Sequence, residues 1–390
     1  MTHRDLLRAT AGHAADFLDS LDGRPIFPRA TAEELRAALG GPVPDGPTDA
    51  ETVVEELVAA ADPGTVAIPS GRYFGFVIGG SVPAALAADW LTSAWDQNAG
   101  LYVAGPAAAV VEEVCVEWLR ELLGLPDGVS AGFVTGCQMA HVTALAAARL
   151  HVLHAAGWDV NRDGLAGAPP IRVLASDLRH VTVDRALRLL GVGSSSIVEI
   201  PTDSRFRMRP DALATSLAGG DGPTIVVAQA GEVNTGAFDP LDEIADACRE
   251  AGAWLHVDGA FGLWAVATPR LRHLVAGSGR ADSWSTDAHK WLNVPYDSGI
   301  AFCGHPEAHR AAMSIQASYL VQADEGGPRD QMDWTPEFSR RARGFPRVRP
   351  RVEVVNCPPQ EHPPTRLPSE APRTRRHTYV RLSFQTRCRV

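Results

Sequence analysis

One lysine and one upstream aspartate carry the strongest chemical signal in this sequence. Lys290 is the only lysine among 390 residues, and the other basic side chains of the Lys/Arg class are all arginines. A deprotonated lysine amine can form a Schiff base with an aldehyde, whereas an arginine guanidinium stays protonated and cannot. Asp258 ends the apolar run 254–257, where a carboxylate needs a cationic partner. A lysine for the aldehyde and an aspartate for the pyridinium nitrogen are the pair that pyridoxal 5′-phosphate requires.

Two further segments contain residue types that suit this cofactor. Gly136, Cys137 and Gln138 join a β-like run to a helix, and the backbone N–H groups of such a turn can hold a phosphate dianion. His180 follows the next β-like run, so it is expected to face the ligand crevice, where an imidazole can stack on a flat ring. Each feature also has a plain structural interpretation: an ordinary glycine turn, a surface histidine, a helix cap for Asp258 and a chance surface lysine.

The order glycine turn, histidine, aspartate and lysine is more specific than any of its parts. The two most specific segments are His-Val-Asp-Gly-Ala-Phe-Gly at 256–262 and Asp-Ala-His-Lys-Trp-Leu-Asn at 287–293. Through them, residues 4–346 resemble the pyridoxal-phosphate-dependent group II amino acid decarboxylases, the family of aromatic amino acid, glutamate and histidine decarboxylases. The resemblance implies an α/β fold of the aspartate aminotransferase type (fold type I), with a mostly parallel sheet and an N-terminal helical segment, and with the usual C-terminal small domain truncated or replaced.

The resemblance also implies a role for individual residues. Lys290 would form the internal aldimine, and Asp258 would pair with the pyridinium nitrogen. His180 would stack on the ring, Ala260 would lie near its other face, and His289 would lie near the phosphate. The further positions implied to bind the cofactor are Gly136, Cys137, Gln138 and Asn234. Relatives usually carry small or hydroxyl residues where this chain has Cys137 and Gln138, and no metal is expected.

Tyr319 bears on the type of reaction. It lies where family decarboxylases carry a mobile-loop tyrosine, which is thought to protonate the quinonoid carbon after carbon dioxide leaves. Because aldehyde-forming relatives carry phenylalanine there, the resemblance implies decarboxylation of an L-amino acid to its amine. Other pyridoxal phosphate reactions stay open: amino transfer, aldehyde-forming oxidative deamination and aldehyde-lyase cleavage. An inactive product of a frame-shifted gene also stays open, and the plain interpretation of Tyr319 is an aromatic residue in an amphipathic loop.

Hydrophobic spacing predicts the organisation of the chain. Helical periodicity indicates helices over 4–22, over 31–39 with Thr31 and Glu34 as a capping box, and over 48–61. From about residue 83, helices alternate with β-like runs, of which the last ends at residue 257, and this predicts a mostly parallel sheet covered on both faces. The predicted domains are a helical segment that embraces a partner subunit (1–65), a cofactor-binding large domain (66–305), a mobile catalytic loop with the start of a small domain (306–346), and a tail (347–390).

The tail has a different composition from the rest. Residues 347–390 hold ten arginines, three glutamates and seven prolines, without a helical period. A solvated, disordered segment fits this composition, and a basic arm that binds nucleic acid or membrane fits it less well, because such arms rarely contain so many prolines. A changed reading frame in a GC-rich gene is the preferred explanation.

Charge and cysteine content limit the partners and the compartment. A formal net charge of −10 argues against nucleic acid as the main partner, and no apolar run is long enough to span a bilayer. The N-terminus lacks the features of a signal peptide, and the six cysteines show no paired or metal-type spacing. These features predict a cytoplasmic protein with no nucleic acid or membrane partner, and the resemblance implies a homodimer that acts on a small-molecule amino acid.

Overall fold

The computed structural model describes residues 1–315 and 327–347. The chain divides into two compact units, one formed by residues 1–80 and the other beginning at Ser81. The first unit holds three helices: α1 (His3–Ser20), α2 (Ala32–Leu39) and α3 (Ala50–Ala61). Thr31 and Glu34 form the predicted capping box at the start of α2, because each side chain accepts a hydrogen bond from the other residue's backbone N–H.

The second unit alternates helices with strands. Its helices are α4 (Pro83–Trp95), α5 (Pro106–Leu122), α6 (Cys137–Ala155), α7 (Val160–Asp163), α8 (Val181–Leu189), α9 (Pro210–Ala218), α10 (Leu241–Ala251) and α11 (Pro306–Met313). Its strands are β1 (Ser130–Val134), β2 (Arg172–Ser176), β3 (Ile197–Ile200), β4 (Thr224–Gln229), β5 (Trp254–Asp258), β6 (Ser283–Asp287) and β7 (Gly299–Cys303). Single turns of 3-10 helix over the two units lie at Asp62–Gly64, Tyr102–Ala104, Ser194–Ser196, Gly262–Ala267, Arg272–Val275, Ser278–Arg280, Gln331–Trp334 and Phe345–Arg347.

All seven strands form one sheet with the order β1-β7-β6-β5-β4-β2-β3. Strand β7 runs antiparallel to both of its neighbours, and the pairs among β6, β5, β4, β2 and β3 are parallel. The predicted mostly parallel sheet is thus confirmed. The carboxyl ends of the parallel strands all lie on one side of the sheet, and open α/β sheets bind ligands beyond these carboxyl ends.

Helices bury both faces of the sheet, as β4 illustrates. Ile225 and Val227 pack into a core with apolar residues of α6 and α8, whereas Val226 and Ala228 pack into a second core with residues of α5, α9 and α10. Successive side chains of a strand point to opposite faces, so a strand covered on both sides needs apolar residues throughout. The continuous apolar run of β4 follows from this double burial.

Strands β6 and β7 were not predicted from the sequence. The residues of β6 are Ser-Trp-Ser-Thr-Asp, a polar composition that does not indicate a buried strand. All five residues are nevertheless buried. The two serine hydroxyls, the indole N–H and the Asp287 carboxylate are accommodated by hydrogen bonds to other elements, and such bonds between distant residues cannot be inferred from local composition.

A buried ion pair attaches residues 327–347 to the rest of the second unit. The Arg340 guanidinium donates to both carboxylate oxygens of Glu112 on α5, at 2.9 and 3.0 Å, and to the carbonyl of Phe133 on β1, at 2.7 Å. Arg347, the first residue of the predicted tail, is buried and donates to the carbonyl of Arg343 at 2.6 Å. Residues 348–390 of that tail lie outside the described residues. Among the described helices, none combines the length and apolar character that crossing a membrane demands.

Candidate active site

The ends of three parallel strands and the turns that follow them bring the predicted site residues together. Asp258 is the last residue of β5, and Asp287 is the last residue of the neighbouring β6. The chain continues from Asp287 directly to His289 and Lys290. On the far side of β7, strand β1 leads into α6 through Gly136. The topology therefore explains why residues more than 150 positions apart in sequence contribute to one site.

Lys290 makes a close ion pair with Asp287. Its Nζ lies 3.0 Å from Oδ2 of Asp287, and the lysine side chain is 20% exposed while the carboxylate is 4% exposed. Burial alone lowers the pKa of Lys290, but the charge and the hydrogen bond of Asp287 outweigh burial and raise this pKa above its ordinary value. The amine is thus held in its charged form by Asp287 until a reaction partner arrives.

Asp258 is a buried carboxylate that remains ionised. Its Oδ1 accepts from the backbone N–H of Ala260 at 3.1 Å, and its Oδ2 lies 3.4 Å from Nε2 of His141. Burial raises the pKa of Asp258, but the hydrogen bond of His141, the charge of Lys290 and the N–H of Ala260 together hold it well below the usual range. The structure therefore presents a desolvated anion beside the only lysine.

The β1–α6 turn provides a helix N-terminus next to these charges. Gly136 is the N-cap of α6 and contributes no capping side chain, and the Oδ1 of Asp287 accepts instead from the backbone N–H of Cys137 at 2.6 Å. The thiol of Cys137 lies 3.9 Å from Oδ1 of Asp258. Burial, followed by the charges of Asp287 and Asp258, raises the pKa of Cys137 well above its ordinary value, so the thiol keeps its proton. This N-terminus already attracts one anionic oxygen, as the helix dipole predicts.

Gln138 and His180 connect the start of α6 to the start of α8. The Gln138 amide donates to the carbonyl of Thr182 at 3.2 Å, and His180 is the N-cap of α8, with its Nδ1 2.8 Å from the Thr182 hydroxyl. Burial lowers the pKa of His180, the charge of Asp258 opposes this effect, and the charge of Lys290 adds to it. His180 is therefore a half-buried, neutral imidazole, and it lies close enough to Asp258 and Lys290 for both charges to affect its pKa.

His289 holds the one buried, unpaired imidazole nitrogen among the described residues of the site. Its Nδ1 is buried without a hydrogen-bond partner, its Nε2 lies 3.4 Å from Asp287 Oδ1, and its ring stacks on Tyr296 with centroids 4.2 Å apart. Burial lowers the pKa of His289, so its ring is neutral. Leaving a buried polar atom unpaired is costly, and an unpaired atom at a functional site indicates a missing ligand.

Two predicted residues are not brought into this group by any described contact. Asn234 is exposed in the loop after β4, where its amide donates to the Glu232 carboxylate at 2.7 Å. Tyr319 lies outside the described residues. Ala260, by contrast, does join the group, because its N–H binds Asp258 and its carbonyl accepts from the N–H of Asp287 at 3.1 Å.

Sequence reasoning missed three residues that the structure adds to the site. Asp287 occurs within the lysine motif, three positions before Lys290, which is helical spacing for an ion pair. His141 follows Cys137 by four residues and so shares its face of α6, and His256 precedes Asp258 by two and so shares its face of β5. These spacings were available signals, although only the fold shows that the two faces meet.

These side chains fit pyridoxal 5′-phosphate. An amine for the aldehyde, a buried carboxylate for the protonated ring nitrogen, and a helix N-terminus with an unpaired imidazole for the phosphate are all present in one place. The unpaired Nδ1 of His289 is the observation that most directly calls for an added polar group. Lys290, Asp258 and His289 would therefore hold the cofactor.

Comparison with known proteins decides the family. The pyridoxal-dependent decarboxylase conserved domain matches residues 33–346. This chain belongs to the pyridoxal-dependent decarboxylase family. The aromatic-L-amino-acid decarboxylase of Bacillus atrophaeus is 33% identical over 336 residues, which cover 85% of this chain and 68% of the relative.

Two solved structures agree with this membership. The Oryza sativa protein TDC, crystallised with PLP and tryptamine, is 28% identical and superposes with a TM-score of 0.81, over 88% of this chain and 72% of that one. The Rhodiola rosea 4-hydroxyphenylacetaldehyde synthase is 27% identical, with a TM-score of 0.75 over 89% and 74% of the two chains. The chain is thus a fold type I, pyridoxal-phosphate-dependent carboxy-lyase of amino acid metabolism, and the predictions of family, fold and cofactor are confirmed.

Proposed function

We propose that this member of the pyridoxal-dependent decarboxylase family converts an L-amino acid to its amine and carbon dioxide, with the cofactor held covalently on Lys290. The observation that carries the proposal is the arrangement of Lys290 and Asp258: a partly buried amine in the turn after β6 and a buried carboxylate at the end of the neighbouring β5. An aromatic L-amino acid is the first substrate to test, because the similar Bacillus atrophaeus protein bears that name.

Each residue of the site has a defined task in this proposal. When bound, pyridoxal 5′-phosphate supplies a ring that accepts the electron pair left at Cα as carbon dioxide departs. Asp258 would keep the ring nitrogen protonated through its negative charge, and Lys290 would supply the amine that holds the aldehyde. His180 would pack on the ring, and Ala260 would lie near its other face.

The phosphate contacts are also proposals. The α6 N-terminus at Gly136, Cys137 and Gln138 provides backbone N–H groups, and the unpaired Nδ1 of His289 provides a polar atom nearby. Asn234 stays a predicted cofactor contact, although its amide is bound to Glu232 in this structure. These assignments follow from charge and position at the carboxyl edge of the sheet.

Tyr319 decides between amine and aldehyde as the product. We assign it the proton that Cα receives after carbon dioxide leaves, which completes decarboxylation to the amine. A second candidate function is aldehyde formation, because the similar Rhodiola rosea protein is an aldehyde synthase. Without protonation at Cα, that carbon remains open to oxidation by molecular oxygen, which takes up the two electrons and becomes hydrogen peroxide, while water releases the nitrogen as ammonia and leaves the aldehyde.

Product analysis of the purified chain tests the proposal. The chain is loaded with pyridoxal 5′-phosphate and given a panel of L-amino acids, and carbon dioxide, amine, aldehyde, ammonia and keto acid are measured. We expect carbon dioxide and amine in equal amounts, and we expect Tyr319→Phe to move the product towards aldehyde and ammonia. Aldehyde and ammonia from the parent would favour the second candidate, whereas keto acid would favour amino transfer. Aldehyde without carbon dioxide or ammonia would favour aldehyde-lyase cleavage. A cofactor-loaded chain without turnover would favour an inactive gene product.

We further propose a cytoplasmic homodimer. No residue of α1, α2 or α3 is buried, and Leu7, Val53 and Leu57 are among their exposed apolar side chains. Helices with apolar residues left in solvent favour association with a partner, here a second copy. The four described cysteines are free thiols, as expected of a reducing compartment. Sedimentation equilibrium should give twice the chain mass.

A further inference from the structure

A line of buried polar side chains runs behind Asp258, between the sheet and α6. Trp254, His256 and Asp258 alternate along β5 and therefore point to the same face. The parallel register places Ser283 beside His256, and α6 covers this face with His141. All five side chains are buried, and both histidines are 0% exposed. Buried polar groups in an otherwise apolar interior need a reason.

Hydrogen bonds link these groups in a chain from Trp254 to Asp258. The Trp254 Nε1 lies 2.9 Å from Ser283 Oγ, which lies 2.9 Å from His256 Nδ1. The Nε2 of His256 lies 3.0 Å from His141 Nδ1, and the Nε2 of His141 lies 3.4 Å from Asp258 Oδ2. Every link thus joins two polar atoms within hydrogen-bonding or ion-pair distance.

The chemistry of the end groups assigns a direction to the protons. An indole N–H only donates, so Ser283 Oγ accepts from Trp254, and we assign the hydroxyl proton of Ser283 to the bond with His256 Nδ1. The proton of His256 is then on Nε2 and is donated to His141, whose own proton faces the carboxylate. His256 is neutral, because burial lowers its pKa to about 3. Every donor in the chain consequently points towards Asp258.

We propose that His141, held by His256, is a positioning residue that keeps Asp258 ionised and aimed at the ring nitrogen of the cofactor. The inference rests on the proposed function, since it assumes that Asp258 pairs with that nitrogen. A buried carboxylate without a donor would take up a proton and lose its attraction for a protonated ring. His141 supplies that donor from α6, and the orientation of its ring is fixed by His256 and by the Ser285 hydroxyl, which lie 3.0 and 3.2 Å from its Nδ1, rather than by solvent.

The same atoms also have the spacing of a metal site. Cys137 Sγ, His141 Nε2 and a carboxylate oxygen of Asp258 lie within 4.8 Å of one another. Metal-binding cysteine must lose its proton, however, and burial together with two neighbouring carboxylates raises the pKa of Cys137 well above its ordinary value. A hydrogen bond from His141 to Asp258 needs no ion, because the two side chains already approach within 3.4 Å, and the test below separates the two.

Two cofactors that differ at the ring nitrogen test the proposal. The dissociation constants of pyridoxal 5′-phosphate and of its 1-deaza analogue, which has carbon in place of that nitrogen, are measured on the metal-chelated apoprotein. The variants are His141→Leu, which removes the donor, and His141→Gln, which restores an N–H near the same position. His309→Leu is the matched control, because His309 is also 0% exposed and bonds Ser130 and the Trp334 carbonyl instead.

The parent should prefer pyridoxal 5′-phosphate over the analogue by about tenfold or more, the usual effect of one charge-assisted hydrogen bond. His141→Leu should reduce the preference below about threefold, whereas His141→Gln and His309→Leu should keep most of it. An unchanged preference in His141→Leu would overturn the positioning role. If His141→Leu does not fold, His256→Leu carries the same expectation, and an unchanged preference in that variant would overturn the role equally.

Other outcomes distinguish a failure of the positioning role of His141 from a failure of the proposed function. A parent without any preference for the nitrogen would contradict the pairing of Asp258 with the ring, and so would count against the proposed function itself. The parent could also lose its preference when metal is chelated and regain it when Zn²⁺ is added. That result would show that a metal ion, and not a proton, bridges His141 and Asp258. A general loss of affinity for both cofactors in His141→Leu would indicate a structural role only.

Discussion

At the scale of single residues, Asp287 organises the site. Its two oxygens reach Lys290 Nζ at 3.0 Å and the N–H of Cys137 at 2.6 Å. One carboxylate thereby joins the reactive amine to the helix N-terminus that we assign to the phosphate. The sequence contains this aspartate within the lysine motif, but its partners became visible only when β1, β6 and α6 were placed together.

The pair formed by Asp287 and Lys290 predicts a pH effect on cofactor loading. Only the deprotonated amine attacks an aldehyde, and Asp287 raises the pKa of Lys290. Asp287→Asn should therefore lower that pKa and shift the pH profile of cofactor incorporation, followed by absorbance, to lower pH by about one unit or more. The control is Asp297→Asn, whose carboxylate pairs with Arg343 at 2.7 Å instead of the lysine. Equal profiles for Asp287→Asn and the parent would refute this effect.

At the scale of elements, the start of β7 supports the turn before α6. A Cβ added to Gly299 would lie 2.4 Å from the Cα and carbonyl carbon of Gly136, a distance that no side chain tolerates. The first residue of an unpredicted strand thus fixes the position of the predicted phosphate turn. This contact is between backbones, so no pattern of side-chain types in the sequence reports it.

This close approach predicts a selective effect of one methyl group. Gly299→Ala should push the β1–α6 turn away, destabilise the fold by about 1–3 kcal/mol in urea titration and weaken cofactor binding measured by fluorescence. Gly304→Ala, just beyond the other end of β7, is the control, because its nearest neighbour would be 3.4 Å away. Similar stability and affinity for the two variants would show that the turn does not depend on this contact.

The sequence and the structure agree where the signal is local and differ where it is not. Lys290 and Asp258 were found because a unique lysine and an acid after an apolar run are rare in themselves. Strand β6 was missed because its buried serines form hydrogen bonds with side chains of other elements. His141 was missed because the sequence of an apolar helix does not indicate what its one buried imidazole contacts. Hydrogen bonds between residues such as His141 and His256, 115 positions apart, exist only in the folded chain.

At the scale of the whole molecule, Arg340 attaches residues 327–347 to the sheet. Both it and Glu112 are buried, and Arg340 also donates to the carbonyls of Ala99 and Phe133. A buried pair adds little over an apolar pair of the same shape, but removing one partner leaves an uncompensated charge. Loss of the Glu112 carboxylate is therefore expected to destabilise the attachment of residues 327–347 by more than the net contribution of one ion pair.

Two glutamates of the same helix allow a matched test of this dependence. Glu112→Gln should lower the free energy of unfolding by about 3–5 kcal/mol, because Arg340 loses its buried counter-charge. Glu117→Gln on α5 should change it by less than about 1 kcal/mol, because Glu117 is 65% exposed and pairs with Arg120 at the surface. Urea titration of both variants and the parent checks this, and equal losses would mean that the buried pair has no special weight.

The central claim is that Lys290 carries the cofactor, and this chain offers an unusually clean test of it. Borohydride reduction of the cofactor-loaded protein fixes the link to any amine, and peptide mapping by mass spectrometry then locates the label. Because Lys290 is the only lysine, the N-terminal amine is the single alternative among the ordinary amines of the chain. We predict a pyridoxyl label on the peptide that contains Lys290, and its absence from Lys290→Arg. A cofactor-loaded chain labelled only at its N-terminus would contradict the account.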